Sequence, residues 1–237
     1  MTERSTHETR IARQLELALG YRLFASLRWG DLGDGHISAR DPERSDCFWL
    51  LPSHIAFHKA RAEDMVLVGP DGTVVSGDGD INQSAYYIHH PIHSARPDTV
   101  SVAHVHTAWG TPFAAEARPI QPITQESCFF FENHALFDEE EVQIQDTDGG
   151  RRIALTLGEN SAVILRNHGL LTVGASVAET IGLFVLLERA AEANMKARDA
   201  KPISAQAARY AREDLMRIGA ELSFQSLVDG HVGPSRF

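Results

Sequence analysis

The sequence predicts an α/β fold, because stretches typical of helices alternate with short stretches typical of strands along the chain. Apolar residues recur every four positions from residue 11 to 27, and a second helical stretch runs from about 176 to 197. Between them lie short apolar runs rich in β-branched residues and bounded by glycine-rich turns. No internal repeat and no linker-like stretch interrupts this pattern, so we expect one domain over residues 1–237.

The N-terminal half begins with a predicted helix followed by four predicted strands. Ser5 and Glu8 form a capping box at the start of the helix, and Gly30 is its expected end. The apolar stripe of this helix consists of Ile11, Leu15, Leu19, Leu23 and Leu27. The predicted strands span residues 36–40, 47–51, 65–68 and 73–75.

The middle of the chain contains the clearest strand, TVSVAHVHT at residues 99–107. Residues 82–95, just before it, mix helix formers with aromatic residues, and Pro91 must kink, shorten or start any helix there. Residues 138–150 are strongly acidic, which predicts an exposed connection and a solvated surface rather than a site.

The C-terminal part predicts a hairpin and two helices. Residues 161–174 contain two apolar runs around Arg-Asn-His-Gly, which indicates a hairpin with a polar tip. Ser176 and Glu179 form a second capping box, which opens a long helix. We expect a last helix over residues 205–222.

Composition excludes several classes of function. The net charge of −10 argues against a surface for nucleic acid or anionic membranes. Two cysteines provide no disulfide framework and suit a reducing compartment. The first residues lack the apolar core of a signal peptide, and no apolar run reaches the length of a membrane span. A cytoplasmic protein is therefore expected.

Two histidines on the strand at 99–107 are a candidate metal site. His104 and His106 are two residues apart, so their side chains share one face of the strand, roughly 7 Å apart at the backbone. Both rings could reach one ion, since metal–nitrogen bonds are about 2.0–2.1 Å long. The alternatives are hydrogen-bonded core histidines or a solvated edge strand. His168, at the hairpin tip beside Asn167 and Gly169, is by itself more typical of a turn residue than of a ligand.

Several motifs together resemble the class II aldolase/adducin family. RPDTVSVAHVHT is followed about sixty residues later by LRNHGLLTVG and an alanine-rich helix, and GHISARDP, LPSHIAF and INQSAYYIHHPIHSARPD precede it in order. The resemblance covers about Arg10 to Lys201. Within the family, the sequence is most similar to the adducin-like bacterial branch. It implies a three-layer α/β/α sandwich around a central mixed, mostly antiparallel sheet. It also implies a homotetramer with sites at subunit interfaces.

The resemblance implies a set of metal ligands. The family's H-x-H pair falls on His104 and His106, and the histidine of its N-H-G turn falls on His168. These three would ligate one divalent ion, with zinc expected and manganese, cobalt or iron as alternatives. The ion would act as a Lewis acid and stabilise an enolate formed when a carbon–carbon bond breaks.

The sequence departs from the family at the position of its proton carrier. Sugar-phosphate aldolases of the family have a glutamate four residues before the histidine that matches His89, and that position is Ala85 here. Alanine can neither ligate metal nor carry a proton, so we expect weak or absent sugar-phosphate cleavage. His89 and His93 are the candidate acid/base residues, since imidazole titrates near neutral pH. Helix-surface packing is the alternative role for each of them.

Three further residues fall in the family's substrate-binding loops: His36, Ser53 and Gln83. The position of the family's asparagine is occupied by His36, which argues against phosphate recognition. We expect a small-molecule substrate and no nucleic-acid or membrane partner.

The leading hypothesis is a divalent-metal-dependent carbon–carbon lyase that decarboxylates or cleaves a small oxo, hydroxy or aromatic acid. A second hypothesis is a non-haem iron oxygenase on the same three histidines. A third is a non-catalytic module like the adducin head, which the three histidines argue against. The apolar run Phe129–Phe131 predicts a homo-oligomer, because such a run would not be exposed on a monomer. We expect residues 82–93 near the subunit interface.

Overall fold

The computed structural model describes residues 5–30 and 32–233. The strands of this part are β1 (Gly35–Arg40), β2 (Phe48–Leu50), β3 (Val66–Val68), β4 (Val74–Ser76), β5 (Ser101–Val105), β6 (His134–Phe137), β7 (Ala162–Leu165) and β8 (Gly169–Gly174). The α-helices are α1 (Thr6–Ser26), α2 (Gln83–Ala95), α3 (Gly110–Ala115), α4 (Thr147–Leu157), α5 (Val177–Lys196), α6 (Ala205–Ile218) and α7 (Glu221–His231). Short 3-10 helices lie at Phe57–Lys59, Ala62–Asp64 and Glu126–Phe130.

All of these strands form one mixed sheet in the order β4-β3-β2-β1-β5-β8-β7-β6. The β6–β7 pair is parallel, and the other neighbouring pairs are antiparallel. Helices α1, α5 and α7 pack on one face, and α2 and α4 pack on the other. The predicted three-layer α/β/α sandwich with a mostly antiparallel sheet is confirmed. None of the described helices is long and apolar enough to cross a membrane.

Strand alternation decides which side chains reach the α2 face of the sheet. Ile37 on β1 and Ala103 on β5 belong to the apolar core under α1 and α5. Their neighbours His36, Ser38 and His104 therefore point to the opposite face, where α2 packs. The predicted strands at 36–40 and 99–107 thus place polar side chains under one helix.

The first helix confirms the capping box but corrects the predicted apolar stripe. The Ser5 hydroxyl accepts a hydrogen bond from the Glu8 amide, and the Glu8 carboxylate accepts one from the Ser5 amide. The prediction that this stripe forms the buried face is wrong at the start of the helix, where Ile11 is 41 % exposed. A spacing of four residues drifts around a helix of 3.6 residues per turn, so it does not follow one face. The buried face instead contains Leu17, Tyr21 and Phe24, and the helix ends at Ser26 rather than at Gly30.

An exposed connection was predicted over residues 138–150, and this prediction is wrong from Thr147 onward, where helix α4 begins. The segment is largely exposed up to Asp146, but that residue caps helix α4 by accepting hydrogen bonds from the amides of Asp148 and Gly149. Gly149 and Gly150 are buried, and a Cβ on Gly150 would lie 1.9 Å from the Tyr87 carbonyl oxygen. Glycine is a poor helix former, yet here it allows α4 to approach α2 closely.

Two further predictions are corrected at the C-terminal end and in the aromatic run. The helix expected over 205–222 divides at Gly219, whose φ of +86° ends α6 before α7 begins. Phe129 and Phe130 are buried within the chain itself, at 5 % and 0 % exposure. They need no partner subunit to be buried and therefore give no evidence for an oligomer. Strand β6 and helix α3 were not predicted.

Candidate functional site

The three predicted ligand histidines lie together at one end of the sheet. His104 is on β5, His106 follows its last residue, and His168 occupies the tip of the β7–β8 hairpin. The ring centroids are 4.6 Å apart for His104 and His168, 5.3 Å for His104 and His106, and 5.1 Å for His106 and His168. One potential ligand atom from each ring lies within 4.8 Å of the others. The antiparallel β5–β8 pairing brings these distant parts of the sequence together.

The hydrogen bonds and charges of these rings suit metal binding. His104 Nδ1 donates a hydrogen bond to the Leu170 carbonyl oxygen at 2.8 Å, which leaves Nε2 as the nitrogen with a free lone pair. Burial, and next His168, lower the pKa of His104 well below its usual value. Burial, and next His106, lower the pKa of His168 to about 4. Both rings are therefore neutral at neutral pH, as metal ligation requires.

The hairpin tip has its own structural reasons for Asn-His-Gly. Asn167 has a φ of +57°, a left-handed conformation that asparagine tolerates better than most residues. The His168 amide donates to the Leu165 carbonyl oxygen at 2.9 Å, which closes the turn. A Cβ on Gly169 would lie 3.3 Å from His104 Cε1. Glycine therefore allows the hairpin to approach the His104 ring.

A buried carboxylate fixes the loop that follows His106. Glu188 on α5 accepts hydrogen bonds from the Thr107 hydroxyl at 2.6 Å and from the backbone amides of Gly110 at 2.7 Å and Trp109 at 3.0 Å. Burial raises the pKa of Glu188, and the three hydrogen bonds oppose that shift. No spacing in the sequence indicates this contact, because α5 is remote from the loop along the chain.

A line of four buried side chains leads away from the ligand histidines. His36 and His104 are in ring contact, with centroids 5.2 Å apart. His36 Nδ1 shares a hydrogen bond with His89 Nε2 at 2.8 Å, and His89 Nδ1 shares one with the Ser38 hydroxyl at 2.7 Å. The same hydroxyl lies 2.9 Å from His93 Nε2. The candidate acid/base residues His89 and His93 and the candidate substrate residue His36 are thus connected.

The histidines of this line are uncharged in the folded protein. Burial lowers the pKa of His36 and of His89 well below the usual value, and neighbouring histidines lower both further. Burial, and next the Arg40 cation, lower the pKa of His93 to about 3. Ser38 was missed by sequence reasoning, although it stands two residues after His36 on the same strand face, the spacing that drew attention to His104 and His106.

A cavity of about 750 Å³ adjoins this line at His36. Its polar lining includes Ser53 and Asn82, and the Ser53 hydroxyl donates to the Asp80 carbonyl oxygen at 3.0 Å. Gln83 is exposed and does not line the cavity, whereas Asn82, one residue earlier, does. The apolar part of the lining includes Tyr21, Leu50, Leu51, Ile55, Phe57 and Ile81. The described lining residues include neither lysine nor arginine.

Helix α2 has no carboxylate at the position where the family's aldolases have their glutamate, because that residue is Ala85 here. Ala85 is fully buried in an apolar cluster with Phe48 and Tyr86. A carboxylate that sequence reasoning missed lies near the ligand histidines instead, since Asp34 Oδ2 is 3.7 Å from His106 Nδ1.

Comparisons with known proteins agree with this fold. The family model described as Class II Aldolase and Adducin N-terminal domain matches residues 15–195. A protein of Streptomyces roseochromogenus subsp. oscitans named 4-hydroxy-3-prenylphenylpyruvate oxygenase/4-hydroxy-3-prenylbenzoate synthase is 38 % identical over 203 residues, which are 84 % of this chain and 73 % of that protein. Decarboxylase NovR of Streptomyces niveus is 39 % identical over 173 residues, 72 % of this chain and 64 % of that protein.

Among solved structures, the L-fuculose 1-phosphate aldolase from Glaciozyma antarctica PI12 superposes with a TM-score of 0.85. It is 28 % identical, and the match covers 97 % of this chain and 93 % of that one. The chain belongs to the class II aldolase/adducin family. This family includes lyases that use a divalent metal, and the three-histidine group of this chain could hold one.

Proposed function

We propose that the chain is a divalent-metal-dependent carbon–carbon lyase that acts on a small oxo, hydroxy or aromatic acid, with decarboxylation as its main reaction. His104, His106 and His168 hold the ion through one ring nitrogen each. Three protein ligands leave a coordination position for substrate, as in catalytic rather than structural sites. A bound divalent ion supplies Lewis-acid polarisation of a substrate oxygen and stabilises the negative charge that develops as the bond breaks.

The observation that carries this proposal is the position of His36, which lines the cavity and also contacts the ring of His104. A substrate that contacts His36 in the cavity is therefore separated from His104 by the His36 ring, and none of the three ligand histidines lines the cavity itself. The apolar and aromatic lining suits an apolar or aromatic substrate body. Phosphate is commonly bound by arginine or lysine, and neither is found among the described lining residues. The name of one Streptomyces relative includes an aromatic-acid synthase, which supports an aromatic acid as substrate, and the name of the other, a decarboxylase, supports the reaction.

The acid/base groups favour decarboxylation over aldol cleavage. Aldol cleavage requires a base that removes a hydroxyl proton, and the family position for that base is the buried Ala85. His89 and His93 have lowered pKa values, which makes them weak bases at neutral pH. Loss of carbon dioxide from a 3-oxo carboxylate needs no proton removal, because the electron pair of the broken bond passes into an enolate with the neighbouring carbonyl group.

That carbon must then take up one proton, and the buried line can deliver it. Each imidazole accepts a proton at one nitrogen while it releases one from the other, and the Ser38 hydroxyl passes a proton in the same way. Water must replace the proton that His93 releases, because His93 is neutral and stores no extra proton. His36 is the member of the line that borders the cavity. We therefore assign His89 and His93 as proton carriers and His36 as the residue that faces substrate.

The test measures carbon dioxide release under argon from two aromatic 3-oxo acids, benzoylacetate and 4-hydroxybenzoylacetate, because loss of their carboxylate leaves an enolate that a metal ion can stabilise. Metal-free protein is supplied in turn with zinc, manganese, cobalt and ferrous iron, and L-fuculose 1-phosphate serves as the contrasting substrate. We expect release that depends on added ion, stops with a chelator and is lost in His104→Ala. Efficient cleavage of the sugar phosphate, without carbon dioxide release from either acid, would overturn the proposal.

A second candidate is a non-haem iron oxygenase, because the name of one relative includes an oxygenase. Three imidazoles also suit ferrous iron, and dioxygen would then be a co-substrate. The assay repeated in air with the 3-oxo acids and with 4-hydroxyphenylpyruvate, followed with an oxygen electrode, separates the two reactions. Oxygen uptake in proportion to carbon dioxide release would assign the oxygenase, and release under argon at an equal rate would assign the lyase.

We further propose that the chain forms a homotetramer with residues 82–93 near a subunit interface, as is common in the family. Light scattering on the purified chain at micromolar concentration should give a mass about four times that of the monomer. A monomer under these conditions would contradict the proposal.

A further inference from the structure

Asp34 is a carboxylate beside the three-histidine group that the proposed reaction does not use. Its backbone oxygen accepts a hydrogen bond from the His106 amide at 3.0 Å. In the β1–β5 pairing His36 lies opposite His104 and Gly35 lies opposite Val105. Asp34 is therefore the cross-strand neighbour of His106, and the register of the sheet fixes its position.

The side chain of Asp34 lies near His106 Nδ1, slightly beyond hydrogen-bond distance. Its Oδ2 atom lies 3.7 Å from His106 Nδ1. Its Oδ1 atom is buried and has no hydrogen-bond partner among the described residues. A buried carboxylate oxygen without a donor is unfavourable. A rotation that closes the gap to His106 by under about 1 Å gives an ordinary hydrogen-bond length.

The opposite edge of the His106 ring faces the hairpin of His168. A Cβ on Gly169 would lie 3.7 Å from His106 Cδ2, the carbon bonded to Nε2. The Nε2 edge is therefore on the hairpin side, and Nδ1 is on the side of Asp34. In His104, likewise, Nδ1 lies on the side away from a metal ion and donates a hydrogen bond to the Leu170 carbonyl oxygen.

We propose that Asp34 is a positioning residue for His106. Its carboxylate accepts the Nδ1–H of His106, which holds the ring in the tautomer whose Nε2 lone pair is directed toward His104 and His168. A carboxylate or carbonyl partner on the second nitrogen is the usual support of a metal-binding histidine. This inference rests on the proposed function only in that the three histidines must bind a divalent ion.

The test is the dissociation constant for Zn²⁺, measured on the full chain by competition with a chromophoric chelator. D34A removes the acceptor, whereas D34N keeps an oxygen that can accept the same hydrogen bond. D229A removes an exposed aspartate from α7 and is the matched control. We expect D34A to bind zinc about 10- to 100-fold more weakly, D34N to retain most of the affinity and D229A to match the wild type.

Thermal unfolding of the metal-free variants establishes that each is folded. Should D34A not fold, D34S takes its place, because its hydroxyl is too short to reach the ring. Wild-type affinity in D34A would overturn the proposal. Equal losses in D34A and D34N would also overturn it, since the negative charge rather than the hydrogen bond would then be needed. A wild type that binds no zinc would instead overturn the proposed function along with this role.

Discussion

His36 Nδ1 lies 2.8 Å from His89 Nε2, and both rings are buried between β1 and α2. This contact joins the cavity to the interior of the α2 face, because His36 lines the cavity and His89 continues to Ser38 and His93. A short hydrogen bond between two buried neutral imidazoles requires one to donate and the other to accept. The pair can therefore exchange tautomers as a proton passes.

Removal of one ligand histidine should abolish tight metal binding. His168→Ala leaves two imidazoles, and we expect zinc affinity to fall by more than about 100-fold, beyond the loss usual for a supporting contact. His7→Ala, on the exposed start of α1, is the control and should bind as the wild type does. The measurement is zinc titration against a competing chelator. Unchanged affinity in His168→Ala would show that the hairpin supplies no ligand.

Ser38→Ala should impair proton delivery without affecting metal binding. The hydroxyl joins His89 to His93, and its loss leaves two buried ring nitrogens without their partner, which should lower the free energy of unfolding by about 1–3 kcal/mol. We expect a lower kcat for decarboxylation, with KM and zinc affinity close to wild type. Ser76→Ala, on exposed β4, is the control. A wild-type kcat in Ser38→Ala would exclude the line as the proton path.

The stability of the metal-free protein should fall as the pH falls from about 6.5 toward 4. His93 has a folded-state pKa of about 3, below the usual unfolded value of about 6.5, so the unfolded chain binds more protons in this range. Stability contributed by the neutral form is present above the unfolded pKa and is lost as the pH decreases. Each such histidine contributes a slope of about 1.4 kcal/mol per pH unit.

Urea unfolding of the protein, kept metal-free with a chelator, at several pH values measures this slope. His93→Gln removes one of the titrating groups, so its dependence on pH should be shallower than that of the wild type. Equal slopes in the two proteins would mean that His93 is not held neutral by the fold.

Gly169→Ala should weaken metal binding through a steric contact. The added Cβ would lie 3.3 Å from His104 Cε1, so the ring or the hairpin must shift by a few tenths of an ångström. We expect a lower zinc affinity with the fold retained. Gly230→Ala is the matched control, because its Cβ would meet no atom within 4 Å and it lies in helix α7. That variant should be unchanged in affinity and slightly more stable. Equal zinc affinities in the two variants would contradict the steric argument.

The sequence predicted those parts of the site that follow from local spacing. His104 and His106 share a face because strands have a period of two. His168 was assigned as a ligand only through the resemblance of its Asn-His-Gly turn to that of the family. The contacts of Ser38 with His89 and His93 depend on how α2 lies on β1, which no spacing within either element records. Asp34 was missed for the same reason, since it meets His106 only through the register of β1 and β5.

The errors in the fold also have physical causes. Helix α4 contains Gly149 and Gly150, whose low helix propensity conceals a close packing contact with α2. Phe129 and Phe130 are buried by their own chain, and an apolar run in a sequence does not distinguish such burial from an interface. Tertiary packing decides both cases.

The most direct test of the account is the anomalous difference map of a crystal grown with zinc. It should show one peak per chain, about 2.0–2.2 Å from one ring nitrogen each of His104, His106 and His168. A zinc peak bound elsewhere, or rings that stay more than about 5 Å from any common ion, would contradict the central claim.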